Sequence, residues 1–274
     1  MQNLLAASIN GEPVANMAAA VNLEERGLHY GDGLFETMLL RQGNVAAFER
    51  HMQRLAVGCE RLAIAQQDGN AIEQEIKTLV RQTSQGIVKL IVTRGGGGRG
   101  YRGVAGATSN RMLMLYPYTP EIAPAPLTVR WCTTRLARNP LLAGVKHLNR
   151  LEQVLAQREW QDASIGEGLM LDLEDELVCA TAGNLFVATE GALCTPDLRF
   201  SGVRGTMRAR VLDVARELGY AVEECALRPQ QLLDATEVFV TNAVRGIRPV
   251  TALEDRRWPI GALTRRLANA LELW

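Results

Sequence analysis

No dominant charge and no secretory leader is written into this sequence. Met1 to Ser8 lacks a basic opening and a sustained apolar run, and no later apolar stretch is long enough to cross a bilayer. The expectation is a cytoplasmic protein. Lys and Arg number 30 and Asp and Glu number 30, which removes the global field that draws a chain to nucleic acid or to an anionic membrane. Any anionic ligand must be met by local groups.

Cysteine is scarce and scattered. Cys59, Cys132, Cys179, Cys194 and Cys225 are odd in number and form no Cys-x-x-Cys pair, which argues against the usual zinc and dithiol patterns. They read as reduced thiols, mostly in the core. No metal site and no internal repeat is expected.

What is present is mixed α and β. A chain of 274 residues suits two modest domains sharing one cleft. A strand ends at Asn10-Gly11, and a second apolar run, Leu34 to Arg41, closes at Gln42-Gly43-Asn44, a hairpin turn. Phe48, Met52, Leu55, Cys59 and Leu62 recur at helical spacing. A second helix covers Ala71 to Gln82. Strands follow at Gly86 to Thr93 and Met112 to Tyr116, around the glycine-rich Arg94 to Gly106. The prolines between Pro117 and Pro126 mark a linker, with the boundary near Ile122. Beyond it, strands at Leu127 to Cys132, Gly168 to Asp172, Asn184 to Ala188 and Glu237 to Thr241 alternate with helices at about Leu148 to Trp160, Gly205 to Leu218 and Ala262 to Leu273.

The glycine run, Arg94 to Gly103, lacks the Gly-Lys-Ser/Thr ending of a P-loop, and no helix follows to hold a pyrophosphate. It reads either as a flexible hairpin tip or as a loop that covers a substrate. Arg94, Arg99, Arg102 and Tyr101 suit a carboxylate-rich ligand. Lys146, taken by residue type, reads as a solvated charge ahead of a helix. The small, apolar approach Ala143-Gly144-Val145 could instead desolvate its amine and favour the neutral nucleophile.

The run Gly144-Val145-Lys146-His147-Leu148-Asn149-Arg150-Leu151-Glu152 closely resembles the cofactor-lysine segment of the aminodeoxychorismate lyase family, within the fold type IV pyridoxal-phosphate enzymes. Further matching motifs come in the same order. They are Tyr30-Gly31-Asp32-Gly33-Leu34-Phe35-Glu36-Thr37, His51-Met52-Gln53-Arg54-Leu55, Thr93-Arg94 through Tyr101, Asn184-Leu185-Phe186, Gly202-Val203-Arg204-Gly205 and Thr241-Asn242-Ala243.

The resemblance implies an α+β fold, with a smaller N-terminal α/β domain over residues 1–121 and a larger pseudo-barrel domain over 122–274 that carries the lysine. The cofactor, pyridoxal 5'-phosphate, would sit in the cleft between them, and the family's homodimer is expected. Lys146 would bind the cofactor covalently. Arg54 would clamp its phosphate, as would backbone N–H groups of Val203 and Arg204 at a helix start and of Asn242 and Ala243 past a strand end. Asn149, Arg94 and Tyr101 are the candidates for substrate contact.

One position departs from the family pattern. The acid that pairs with the pyridine nitrogen lies five residues before the asparagine of Asn-Leu-Phe, and here that position is Cys179. A thiol supports the ring's positive charge less well unless it ionises, and Glu176 is near in sequence without assurance of facing the pocket. Two readings stay open: a weaker electron sink that suffices, or a degenerate cofactor site in a non-catalytic relative.

The implied reaction converts 4-amino-4-deoxychorismate to 4-aminobenzoate and pyruvate, a step of folate biosynthesis. A base, Lys146, removes the proton from the amine-bearing carbon, and pyruvate departs from the neighbouring carbon. The remaining ring becomes aromatic, which lessens the demand on the electron sink. D-amino-acid and branched-chain aminotransferases of the same fold are the rival reading.

Overall fold

The computed structural model describes residues 4–103, 106–121, 125–189 and 191–272. Its contacts divide the chain into two compact units: Met1–Pro120 with Val145–Asn149, and Glu121–Gly144 with Arg150–Trp274. The boundary expected near Ile122 lies outside the described residues. Lys146, which the sequence reading gave to the second domain, groups with the first unit.

The first unit is built on one antiparallel sheet. Strands β1 (Ala6–Ile9) and β2 (Glu12–Pro13) are joined by Asn10-Gly11, and β3 (Gly33–Arg41) and β4 (Asn44–Val45) by Gln42-Gly43. Both residues of each turn have positive φ, which matches the right-handed twist of a tight hairpin. With β5 (Gly86–Thr93) and β6 (Asn110–Tyr116) the strand order is β2-β1-β6-β5-β3-β4. A short helix, α1 (Arg26–Tyr30), precedes β3, while α2 (Phe48–Leu62) and α3 (Gly69–Leu79) cover one face.

Along β3, Leu34, Glu36, Met38 and Leu40 are buried, and Leu34, Met38 and Leu40 share a core with Leu55, Cys59, Ile72, Ile76, Val88 and Leu90. Each such aliphatic side chain contributes on the order of 1.5–3 kcal/mol when fully removed from water. Glu36 occupies an inward position of this alternation. Its charge is therefore a local exception to an apolar face.

Among its described residues, the second unit holds nine strands. In chain order these are β7 (Leu127–Trp131), β8 (Ile165–Leu171), β9 (Leu177–Ala180), β10 (Asn184–Ala188), β11 (Ala192–Pro196), β12 (Ala221–Cys225), β13 (Glu237–Asn242), β14 (Gly246–Leu253) and β15 (Arg256–Arg257). They order as β12-β11-β10-β13-β14-β7-β8-β9, with β15 paired to β14. The helices are α4 (Leu151–Gln157), α5 (Thr206–Glu217), α6 (Pro229–Leu233) and α7 (Ala262–Ala270).

The central strands are buried on both faces, so they read as continuous apolar runs. Leu185 and Val187 of β10 join Val238 and Val240 of β13 in one core. The alternate residues Phe186 and Phe239 stack at 4.9 Å and pack with Val211 of α5 and Leu267 of α7 in another. The expected helix over Leu148 to Trp160 is shorter than predicted, and residues 145–149 are extended or irregular instead. Among the described residues of this unit, five strands differ from the sequence expectation by their presence: β9, β11, β12, β14 and β15. Edge strand β12 carries Glu223 and Glu224, and β14 contains Pro249, both poor strand signals.

Candidate functional site

In the first unit, Lys146 lies on a backbone bed. The Phe35 N–H donates to the Lys146 carbonyl and the Leu148 N–H donates to the Gly33 carbonyl, each at 3.0 Å. Leu34 and His147 thereby form an antiparallel bridge on the edge of β3 opposite β5. Val145 is buried in the core beside Leu34. Lys146 itself is half-buried, with Nζ 4.1 Å from the centroid of the Phe35 ring. Asn149 braces the chain just beyond this bed: its Nδ2 donates to the Gly31 carbonyl at 3.1 Å.

Arg54, on α2, is held by Glu36. Its Nε donates to Glu36 Oε1 at 2.7 Å and its Nη2 to Glu36 Oε2. His51 Nδ1 lies 2.6 Å from the same Oε2. Glu36 and His51 are each 1% exposed. Burial pushes the Glu36 carboxyl up, but the hydrogen bonds and charges of His51 and Arg54 outweigh it and hold the group below the usual carboxylate range. Glu36 and His51 lie within the family-like motifs, which by themselves assign neither a role. The available signal was an acid at an inward position of an apolar strand, with His51 and Arg54 spaced i, i+3 on the facing helix.

Arg94, a candidate for substrate contact, is engaged as a structural staple. Its Nε donates to Asp32 Oδ2 at 2.7 Å, its Nη2 to Asp32 Oδ1 at 3.1 Å and to the Leu62 carbonyl at 2.7 Å, and its Nη1 to the Ala63 carbonyl at 2.7 Å. Arg26 donates to the same Asp32 and, through its other nitrogens, to the carbonyls of Gly100 and Tyr101. The glycine run is thus tied at its tip, and the Gly100 N–H donates to the Tyr30 hydroxyl. Tyr101 is 89% exposed, its ring edge-on to Tyr30 at 5.5 Å. Elsewhere in this unit a cavity of about 640 Å³, lined by Leu5, Ser8, Glu75 and Arg81 among others, includes none of the expected site residues.

In the second unit, the turn Gly202 to Gly205 leads into α5, whose N-terminus has no side-chain cap. Asn184 Nδ2 donates to the Val203 carbonyl at 2.8 Å and fixes the turn. A Cβ on Gly205 would stand 2.1 Å from Asn184 Oδ1, so a larger residue would have to displace the side chain that fixes this turn. The Arg204 N–H donates to the Gly144 carbonyl at 3.0 Å. The backbone donor expected to face a phosphate thus serves chain pairing. Val203 keeps an N–H outside that pairing, followed by the open first turn of α5.

Asn242 ends β13 as a turn former. Its Oδ1 accepts from the N–H groups of Val244 and Arg245 at 3.0 and 2.8 Å, and its Nδ2 donates to the Ala182 carbonyl at 3.1 Å. The side chain is consumed by the turn, which leaves any ligand contact of Asn242 and Ala243 to the backbone. Beside it, the Thr241 hydroxyl is buried, with no hydrogen-bond partner among the described residues.

Cys179 is buried opposite Met170 on β8. Desolvation pushes its thiol up to about 12, against the opposing pull of Arg150, so it is neutral at physiological pH. Glu176 does not replace it. That carboxylate lies 3.4 Å from Arg138 and 3.6 Å from Arg228. Glu167, passed over in the sequence, is a buried acid on β8. It accepts from the Thr181 hydroxyl and from the Ala182 N–H at 3.2 Å, and burial pushes it up.

Within the first unit, a lysine on a braced bed and a fixed arginine suit a phosphate-bearing aldehyde; within the second, the uncapped start of α5 suits a phosphate. The chain matches Amino-transferase class IV over residues 33–253, and it belongs to that family, a fold type IV group that works with pyridoxal phosphate. Aminodeoxychorismate lyase of Vibrio harveyi is 34% identical over 273 residues, covering 96% of this chain and 98% of that one. The crystal structure of 4-amino-4-deoxychorismate lyase from Pseudomonas aeruginosa agrees with a TM-score of 0.90 at 43% identity, with 97% of each chain covered. D-alanine aminotransferase of Bacillus licheniformis stands at 29% over 270 residues, covering 96% of this chain and 94% of its own.

Proposed function

We propose that this chain is a pyridoxal-phosphate-dependent lyase that converts 4-amino-4-deoxychorismate to 4-aminobenzoate and pyruvate. The observation that carries the reading is the Lys146 bed on β3, in a chain 43% identical to a lyase of that name. Identity to the D-alanine aminotransferase is lower, 29%.

When bound, pyridoxal phosphate supplies a carbonyl that captures the substrate amine and a ring that accepts electrons from the adjacent carbon. Lys146 holds the cofactor at rest. Once released, its Nζ takes the proton from the amine-bearing carbon and later returns a proton to the departing three-carbon unit. Arg54, the Val203 N–H, the start of α5 and the backbone at Asn242 and Ala243 hold the phosphate. Asn149 braces the lysine, and exposed Tyr101 meets substrate. Cys179, neutral at physiological pH, lends the ring no charge, and formation of an aromatic product supplies the driving force instead.

The protein works in the cytoplasm as a homodimer in this reading. Its free thiols and the exposed Leu23, Leu28, Leu151 and Leu155 support that view. Incubating the cofactor-loaded chain with 4-amino-4-deoxychorismate tests the function, with equal release of 4-aminobenzoate and pyruvate expected.

A further inference from the structure

We infer that Glu36 and His51 are positioning residues that aim Arg54 at the cofactor phosphate, an inference that rests on the reading of Arg54 as the phosphate clamp. An arginine on a helix surface samples many rotamers, and each must be given up when it grips an anion. Here that choice is made in advance. Glu36 takes the Nε and Nη2 edge of the guanidinium with both carboxylate oxygens, which fixes the plane as well as the position of the cation.

His51 completes the arrangement. Its Nδ1 reaches Glu36 Oε2 at 2.6 Å, so the carboxylate is gripped from two points one helical turn apart and cannot rotate away. Glu36 stays ionised in a site that is 1% exposed. Stability alone does not call for such a cluster. A buried ion pair adds little net stability over apolar side chains of the same volume, and Leu34, Met38 and Leu40 fill the neighbouring inward positions. The charged triad is accounted for by holding a cation in one orientation.

The test compares the affinity of the full-length chain for pyridoxal phosphate and for pyridoxal, which lacks the phosphate, each followed by visible absorption of the bound ring. Arg54→Gln is expected to weaken pyridoxal phosphate and spare pyridoxal. Glu36→Gln should reproduce that selective loss, on the order of tenfold, and in the Arg54→Gln background it should add nothing. His51→Gln should show a smaller loss of the same kind, and it carries the test if Glu36→Gln does not fold. Equal weakening of both ligands would reduce Glu36 to a packing role and overturn the inference. So would an unchanged phosphate preference in Glu36→Gln beside a lost one in Arg54→Gln. An unchanged affinity in Arg54→Gln would instead remove the clamp itself, and the inference with it.

Discussion

Phe35 holds Lys146 at both ends: its backbone N–H donates to the lysine carbonyl at 3.0 Å, and its ring lies 4.1 Å from the lysine Nζ. Two residues far apart in sequence thus set where the amine sits. One belongs to the motif Gly33-Leu34-Phe35-Glu36 and the other to Val145-Lys146-His147, so the motifs are halves of one piece of sheet.

Arg94 and Tyr101 should part ways under mutation. Arg94→Ala removes bonds to Asp32, Leu62 and Ala63 and is expected to cost about 2 kcal/mol in urea unfolding. Arg94→Lys cannot restore the fork. Tyr101→Ala should leave stability within about 0.5 kcal/mol and raise KM. A stable Arg94→Ala protein with only KM altered would return Arg94 to the substrate.

Acid should unfold the chain in part through Asp32 and Glu36. Burial pushes both carboxyls up, but their arginine partners, with His51 at Glu36, hold them below the ordinary values of 3.8 and 4.5. A carboxyl lowered in the folded state stabilises the fold above its unfolded value, and that stability is lost as pH falls through the folded value. Urea unfolding should therefore show stability declining below pH 4.5. The decline should be shallower in Glu36→Gln, and an identical slope in that variant would contradict the assignment.

The order and type of most elements were legible because apolar periodicity and the turns at Asn10-Gly11 and Gln42-Gly43 are local signals. The role of Arg94 was not. Its residue type suits a carboxylate ligand, and only tertiary structure brings Asp32, Leu62 and Ala63 around it. The pairing of the Arg204 N–H with Gly144 was hidden for the same reason, since the two are distant in sequence. Glu36 was half legible: its inward position on an apolar strand can be counted, but its partners cannot.

Gly205→Ala should injure the start of α5. The added Cβ would meet Asn184 Oδ1 at 2.1 Å and disturb the Asn184 bond to Val203. A loss of about 1–3 kcal/mol is expected in thermal unfolding, together with weaker retention of pyridoxal phosphate on dialysis. Unaltered melting and retention would show that the turn has room to spare.

Cys179 separates a weak electron sink from a degenerate site. Cys179→Ala should keep turnover within about threefold, because a thiol pushed up to about 12 offers no charge to lose. Cys179→Glu places a desolvated carboxyl in the core and should lower stability without accelerating turnover. A tenfold or greater acceleration, by order of magnitude, would show that ring protonation limits the reaction.

Product analysis with 4-amino-4-deoxychorismate, run on the cofactor-loaded chain and on Lys146→Ala side by side, addresses the central claim most directly. The native chain should release 4-aminobenzoate and pyruvate in equal amounts, and Lys146→Ala should be slower by on the order of a thousandfold. Pyruvate release that survives the loss of Lys146, or amino transfer to an oxo acid with neither product formed, would contradict it.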